Sequence, residues 1–173
     1  GIVISGAKAI VTGGPYMHEL LVMPCRTMRK EDADFAVCCA VPIDAKGLTI
    51  ISRPAGRPGE ADAQFSSKYG QSVAVCHFDQ VLVPWDQVFL SGEHDYTEHL
   101  VTSYANHHRH SCIGARAGFG DLLIGAGSLM TEANGLDMDA VTHLRDSMAE
   151  LIKLLEGFFA CGVSASVYGV EDP

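Results

Sequence analysis

His107, His108, His110 and Cys112 crowd into the six residues "HHRHSC", inside the stretch "YANHHRHSCIGARAGFGDLLIGAG" from Tyr104 to Gly127. Imidazole and thiol are side chains that ligate borderline metals, and imidazole also titrates near neutrality. On a helix, residues four apart share a face, which makes neighbours of His108 and Cys112, and of His107 and Ser111. A His/Cys pair at this spacing supplies half of a tetrahedral metal site or an iron–sulfur site. No other pair in the chain has ligand spacing, so the other half is not legible. The same residues would serve equally as a polar helix face lining a cleft or meeting another chain.

Two more places present groups that can act on a ligand. Thr12-Gly13-Gly14 ends a strand-like run, offering a hydroxyl and freed backbone N–H groups, or simply making a turn. His18-Glu19 opens the next run, as a binding pair or as a solvated one. The glycines after the histidines are informative in another way. Five fall between Gly114 and Gly127, and each costs roughly 1 kcal/mol against alanine in a helix interior. Close packing must offset that. Gly114, Gly118 and Gly125 with their alanines make a small-residue face suited to oligomerisation, as a dimer or tetramer, or to a flat cofactor ring.

The elements that must position these groups follow from composition and period. The chain has 173 residues, 47% hydrophobic and 19% charged, which supports a packed core and argues against disorder. A net charge of -9 with only 12 Lys and Arg leaves no basic stripe, so no nucleic-acid partner is expected. No run of eighteen uninterrupted apolar residues occurs, and no membrane span is expected. The six cysteines lack CxxC spacing and sit mostly in apolar runs. That fits reduced, buried thiols and a cytoplasmic location.

Up to about residue 90 the chain reads as β. "GIVISGAKAIVTGG" carries two β-branched runs broken at Gly6, and "HELLVMPC", "DFAVCCAVPI" and "LTIIS" are further strands, with a turn at Asp44–Gly47. "RPAGRPGEADAQFSSKYG", Arg53 to Gly70, has no periodicity and reads as a long loop. "SVAVCHFDQVLVP" gives two more strand segments. Beyond about Asp95 the period becomes helical. One helix runs through Ala133 to a stop at Asn134-Gly135. A second spans about 139 to 163, with Leu144, Met148, Leu151, Leu155 and Phe158 on one face and Asp137 or Asp139 as its cap. An opening on Gly1 rather than Met, and a hairpin ending with its apolar face uncovered, lead to the expectation of a piece of a longer polypeptide.

"FDQVLVPWDQVFL", Phe78 to Leu90, resembles the segment that ends the middle β-barrel of the acyl-CoA dehydrogenase superfamily. With "GIVISGAKAIVTGGPYMHE", "DADFAVCCAVPIDAKGL" and "YANHHRHSCIGARAGFGDLLIGAG", the resemblance narrows to the group containing 4-hydroxybutyryl-CoA dehydratase and the 4-hydroxyphenylacetate 3-hydroxylases. It covers nearly the whole chain. It implies an α+β chain: a flavin-contacting middle β-barrel domain over 1–94, then a helical hairpin over 95–173 that begins a C-terminal helical bundle.

The resemblance also implies roles. Thr12 matches a flavin-contacting threonine, and Gly13, His18, Arg53 and Arg109 are cofactor-binding candidates for FAD. The 53–70 loop would cover the flavin, and His108 would line the pocket as the catalytic candidate. In the dehydratase, the match to His108 ligates a [4Fe–4S] cluster. The cysteine ligand seven residues on is Ala115 here, the tyrosine assisting proton transfer is Cys112, and the catalytic glutamate is Val73. A cluster is therefore not expected unless Cys112 joins His108 as a displaced ligand. The leading expectation is an FAD-dependent hydroxylase-type oxidoreductase acting on a small aromatic substrate with a flavin reductase. The alternatives are an FAD and [4Fe–4S] dehydratase or isomerase of a CoA thioester, and a non-catalytic assembly fragment. The isolated chain is expected to bind FAD weakly and to turn over nothing.

Overall fold

The computed structural model describes residues 1–56 and 64–170, with the side chains of 64 and 65 excepted. The chain divides into two compact units, Gly1–Val101 and Thr102–Pro173.

The first unit is built from six strands: β1 (Ile2–Thr12), β2 (Glu19–Val22), β3 (Val37–Pro42), β4 (Leu48–Arg53), β5 (Val73–Val83) and β6 (Val88–Ser91). They form two antiparallel sheets of three, ordered β1-β5-β4 and β2-β3-β6. Strand alternation sends one face of each sheet inward. Cys76, Phe78, Val81 and Val83 of β5 meet Cys39 and Val41 of β3 in one core cluster, and Ala36, Cys38 and Leu90 make a smaller one.

The expected closed barrel is not formed among the described residues. At the free edge of β1 the sheets are bridged by a side chain instead of a backbone ladder, Lys8 Nζ donating to the Met23 carbonyl at 2.7 Å. Next to that bridge lies an open cleft of about 660 Å³, lined by the first half of β1 and by residues such as Met23, Met28 and Phe35.

The two runs read as broken at Gly6 are one continuous strand. Gly6 (φ 141°) absorbs a register shift, so a bulge stands where a break was expected. The two segments read in "SVAVCHFDQVLVP" likewise join as β5, with Gln80 at φ 52° and its N–H groups donating to Ser5 Oγ. A short helix, α1 (Gln64–Tyr69), occupies part of the expected 53–70 loop. Residues 57–63 of that loop, and with them its cover over a flavin, lie outside the described residues.

Helix α2 (Thr97–Ala133) starts inside the first unit. The buried Thr97 hydroxyl accepts the Met28 N–H at 2.8 Å and donates to the His94 carbonyl at 2.6 Å. Leu100 packs on the smaller core cluster.

The second unit is a hairpin of α2 and α3 (Thr142–Tyr168). Gly135, at φ 67°, ends α2, as its sequence position leads one to expect. The face expected on α3 is the inward one: Leu144, Met148, Leu151, Leu155 and Phe158 are half-buried while their neighbours are exposed. Neither acidic residue caps α3. Val141 is its N-cap without a side-chain bond, and Asp137 Oδ1 instead accepts the Asp139 N–H.

Some glycines of α2 and α3 are required by close approach. A Cβ on Gly120 would collide with Leu155, one on Gly127 would come 2.7 Å from Met148 Cε, and one on Gly162 would come 2.6 Å from Ile113 Cγ2. Gly114, Gly118 and Gly125 lie off this seam, with open space around them.

By length and composition α3 is apolar enough to cross a membrane, with a mean hydropathy of 1.4 in its most apolar window. Lys153 and Glu156 punctuate it, so it holds no uninterrupted run of eighteen apolar residues. Only 6% of that window is buried within the chain.

Candidate functional site

Thr12, Gly13 and Arg53 come together at one end of the β1-β5-β4 sheet. Val73, the first residue of the central strand, is the register partner of Thr12 on one side and of Arg53 on the other. Directly opposed residues share a face, so hydroxyl, isopropyl and guanidinium stand in a row on the face turned away from the core. Thr12 and Arg53 are exposed and Val73 is half-buried. Ile51 and Val75, register partners on the same face, are 63% and 38% exposed. They extend the row into an apolar platform.

Gly13 turns the chain out of this row. It sits at φ 73°, ψ 1° as the cap of a 3-10 turn over Gly14–Tyr16. That is left-handed backbone, which glycine adopts without a Cβ penalty. Its N–H donates to the Ser72 carbonyl at 2.8 Å, so the amide is committed to the fold. Of the two readings of Thr12-Gly13-Gly14, free N–H groups or a turn, the Gly13 amide follows the turn. Among the described residues, neither the Thr12 hydroxyl nor the Arg53 guanidinium has a partner. Both remain available, as a flat, partly anionic cofactor would require.

His18 is not part of this group. It precedes β2, where its carbonyl accepts the Ile43 N–H at 3.0 Å and so extends the other sheet. Two residues escaped the sequence reading. Ser72 is 4% exposed. Its hydroxyl donates to the Arg53 carbonyl at 2.5 Å and lies 2.5 Å from Ser52 Oγ. Serines beside a strand end look like turn punctuation, and only the register brings these two together.

His108 and Arg109 belong to the second unit, on α2. His108 stacks on Tyr104, with ring centroids 5.4 Å apart and planes at 20°. Cys112 Sγ lies 3.7 Å from His108 Nε2, confirming the shared face. Arg109, beside it, is exposed. No group of three or more His, Cys, Asp or Glu able to hold a metal exists among the described residues. The pair offers two donors, and Ala115 has none. Of the four donors a cluster takes, the described part of α2 supplies at most two. On the hairpin seam, His110 Nε2 lies 3.1 Å from Ser166 Oγ.

All six cysteines are free thiols: Cys38, Cys39 and Cys76 are buried, Cys112 is half-buried, and Cys25 and Cys161 are exposed. Burial pushes the three buried thiols up, Cys39 to about 11 with Cys38 beside it adding to the effect. They are packing groups, held protonated.

A model described as the N-terminal region of 4-hydroxyphenylacetate 3-hydroxylase matches residues 1–90, and one described as its C-terminal region matches residues 97–173. The chain is 37% identical over 175 residues to the 4-hydroxybutyryl-CoA dehydratase/vinylacetyl-CoA-Δ-isomerase of Clostridium aminobutyricum, covering 98% of this chain and 35% of that protein. It is 29% identical over 164 residues to the oxygenase component of 4-hydroxyphenylacetate 3-monooxygenase of Thermus thermophilus, covering 92% and 34%. The chain thus spans about a third of the length of these relatives.

Among solved structures, the oxygenase component of 4-hydroxyphenylacetate 3-monooxygenase complexed with FAD and 4-hydroxyphenylacetate superposes with a TM-score of 0.83 at 27% identity, over 99% of this chain and 36% of that one. Glutaryl-coenzyme A dehydrogenase shares the fold alone, with a TM-score of 0.67 at 13% identity over 94% and 40%.

Proposed function

The chain belongs to the 4-hydroxyphenylacetate 3-hydroxylase family, and on that footing we propose that it is the flavin-contacting part of an FAD-dependent oxidoreductase of the hydroxylase type. Reduced FAD supplies the oxygen chemistry when bound, and the protein binds, orients and keeps water out. Thr12 hydrogen-bonds the flavin ring, Arg53 balances its negative charge, and the Val73–Val75–Ile51 platform supplies an apolar surface beside them. On α2, His108 is the catalytic candidate and Arg109 a cofactor-binding candidate. The substrate is a small phenol, the reductant arrives through a flavin reductase, and the location is cytoplasmic. Gly114, Gly118 and Gly125, open in this chain, receive a neighbouring helix in a homo-oligomer.

The observation that carries this reading is Val73 at the centre of the row. A valine cannot take a proton from carbon, and dehydration of a CoA thioester by the route implied for the dehydratase branch needs a base there. The second reading is that thioester chemistry, favoured by the higher identity to the dehydratase over nearly the whole chain. The test is turnover by the polypeptide in its full natural length, given chemically reduced FAD and oxygen. Oxygen-dependent conversion of a phenol to a catechol is expected. Dehydration of a 4-hydroxyacyl thioester with no phenol turnover would sink the hydroxylase reading.

A further inference from the structure

We propose that Ser72 is a positioning residue that sets the spacing of Thr12 and Arg53 around Val73. This rests on the flavin reading of that row. Ser72 is one of two polar residues counted as buried among the described residues. It holds both outer strands of the sheet at the site end. Its carbonyl accepts the Gly13 N–H at 2.8 Å, fixing the turn that follows Thr12. Its hydroxyl donates to the carbonyl of Arg53 at 2.5 Å.

A serine hydroxyl has one proton. With that proton given to Arg53, the 2.5 Å contact to Ser52 must run the other way, from Ser52 Oγ–H to Ser72 Oγ. The chain of bonds is Ser52 to Ser72 to Arg53, each link polarising the next. Strand ends normally fray, because the ladder stops there. Here the ends of β1 and β4 are both tied to the residue that leads into β5, so the two ligand-facing side chains are held one strand on either side of Val73. Removing the Ser72 hydroxyl leaves the Arg53 carbonyl and the Ser52 hydroxyl without this partner. The row then loosens at its cationic end, while the core, built farther along β5, stays packed.

The test is FAD titration of Ser72→Ala, Ser52→Ala and Ser72→Thr, made in the polypeptide of full natural length, with thermal unfolding and the absorption spectrum of the bound flavin read alongside. Ser72→Ala is expected to weaken FAD binding about tenfold and to shift the bound-flavin spectrum. Ser52→Ala, which spares the bond to Arg53, is expected to cost less than about threefold. Ser72→Thr keeps the hydroxyl and is expected to recover affinity; if its extra methyl prevents folding, the contrast between the two alanine variants decides. A Ser72→Ala protein with a lowered melting temperature but unchanged affinity and spectrum would overturn the proposal, leaving Ser72 a structural residue only. If the unaltered protein binds no FAD, the flavin reading fails first. Amide exchange along the Arg53 end of β4, where the hydroxyl bonds, then judges the clamp: faster exchange in Ser72→Ala sustains it, and unchanged exchange overturns it.

Discussion

Thr12 and Arg53 flank a single residue. Each is the cross-strand partner of Val73, from opposite sides of the central strand. This geometry puts a hydroxyl, an apolar side chain and a cation in one row.

Thr12→Val and Arg53→Gln should therefore both weaken FAD binding, and differently. Loss of one neutral hydrogen bond is worth about 1 kcal/mol, or roughly fivefold. Loss of the guanidinium should cost more, and its effect should shrink as salt screens the charge. Fluorescence titration at low and high ionic strength checks this. Equal, salt-independent effects would count against Arg53 as the charge partner.

Thiol reactivity should divide the six cysteines. Cys25 and Cys161 should react quickly with a water-soluble disulfide reagent, Cys112 more slowly, and Cys38, Cys39 and Cys76 only on unfolding. Mass mapping of the labelled sites reads this directly. Fast labelling of Cys39 in the native protein would contradict the packing described.

The same thiols give the first unit a pH limit. Cys39 titrates near 11 when folded, against 9.0 ordinarily. A thiol whose pKa is raised on folding stabilises the fold fully below its unfolded value. That contribution is lost as pH rises through the interval up to the folded value, because only the unfolded state then ionises. Denaturant midpoints should hold steady up to about pH 9 and fall between there and about pH 11. Cys39→Ala should flatten part of that fall.

The helical hairpin separates two kinds of glycine. Gly120→Val forces a side chain into Leu155 and should destabilise the hairpin by about 1–3 kcal/mol. Gly118→Ala meets open space and should raise helix stability by up to about 1 kcal/mol. If the open face carries an assembly contact, Gly118→Leu should lower the oligomeric state in analytical ultracentrifugation while leaving helix content intact. An unchanged oligomer would remove this face as the contact.

Much of the fold was legible because it is local. The α3 face from Leu144 to Phe158 follows from period alone, and the end of α2 from Asn134-Gly135. The six-residue α1 was missed because it is too short to show a period. Gly6 was read as a break because a bulge and a strand end use the same residue. Barrel closure was expected from the resemblance alone, and the described strands instead form two separate three-stranded sheets. In the site, Thr12 and Arg53 were visible through resemblance. Their meeting at Val73, and the Ser52–Ser72 bonds beneath them, follow only from the register of three strands distant in sequence. His18 shares a residue type with a ligand-binding group but lies at the entry to the other sheet.

The hydroxylase-type proposal requires flavin to act without a metal cluster. Iron, acid-labile sulfide and flavin should be measured together on the protein in its full natural length, purified without oxygen. The hydroxylase-type reading predicts bound or bindable FAD with no stoichiometric iron or sulfide. About four irons and four sulfides per chain beside the flavin, as a [4Fe–4S] cluster requires, would contradict it and would make Cys112 a ligand with His108.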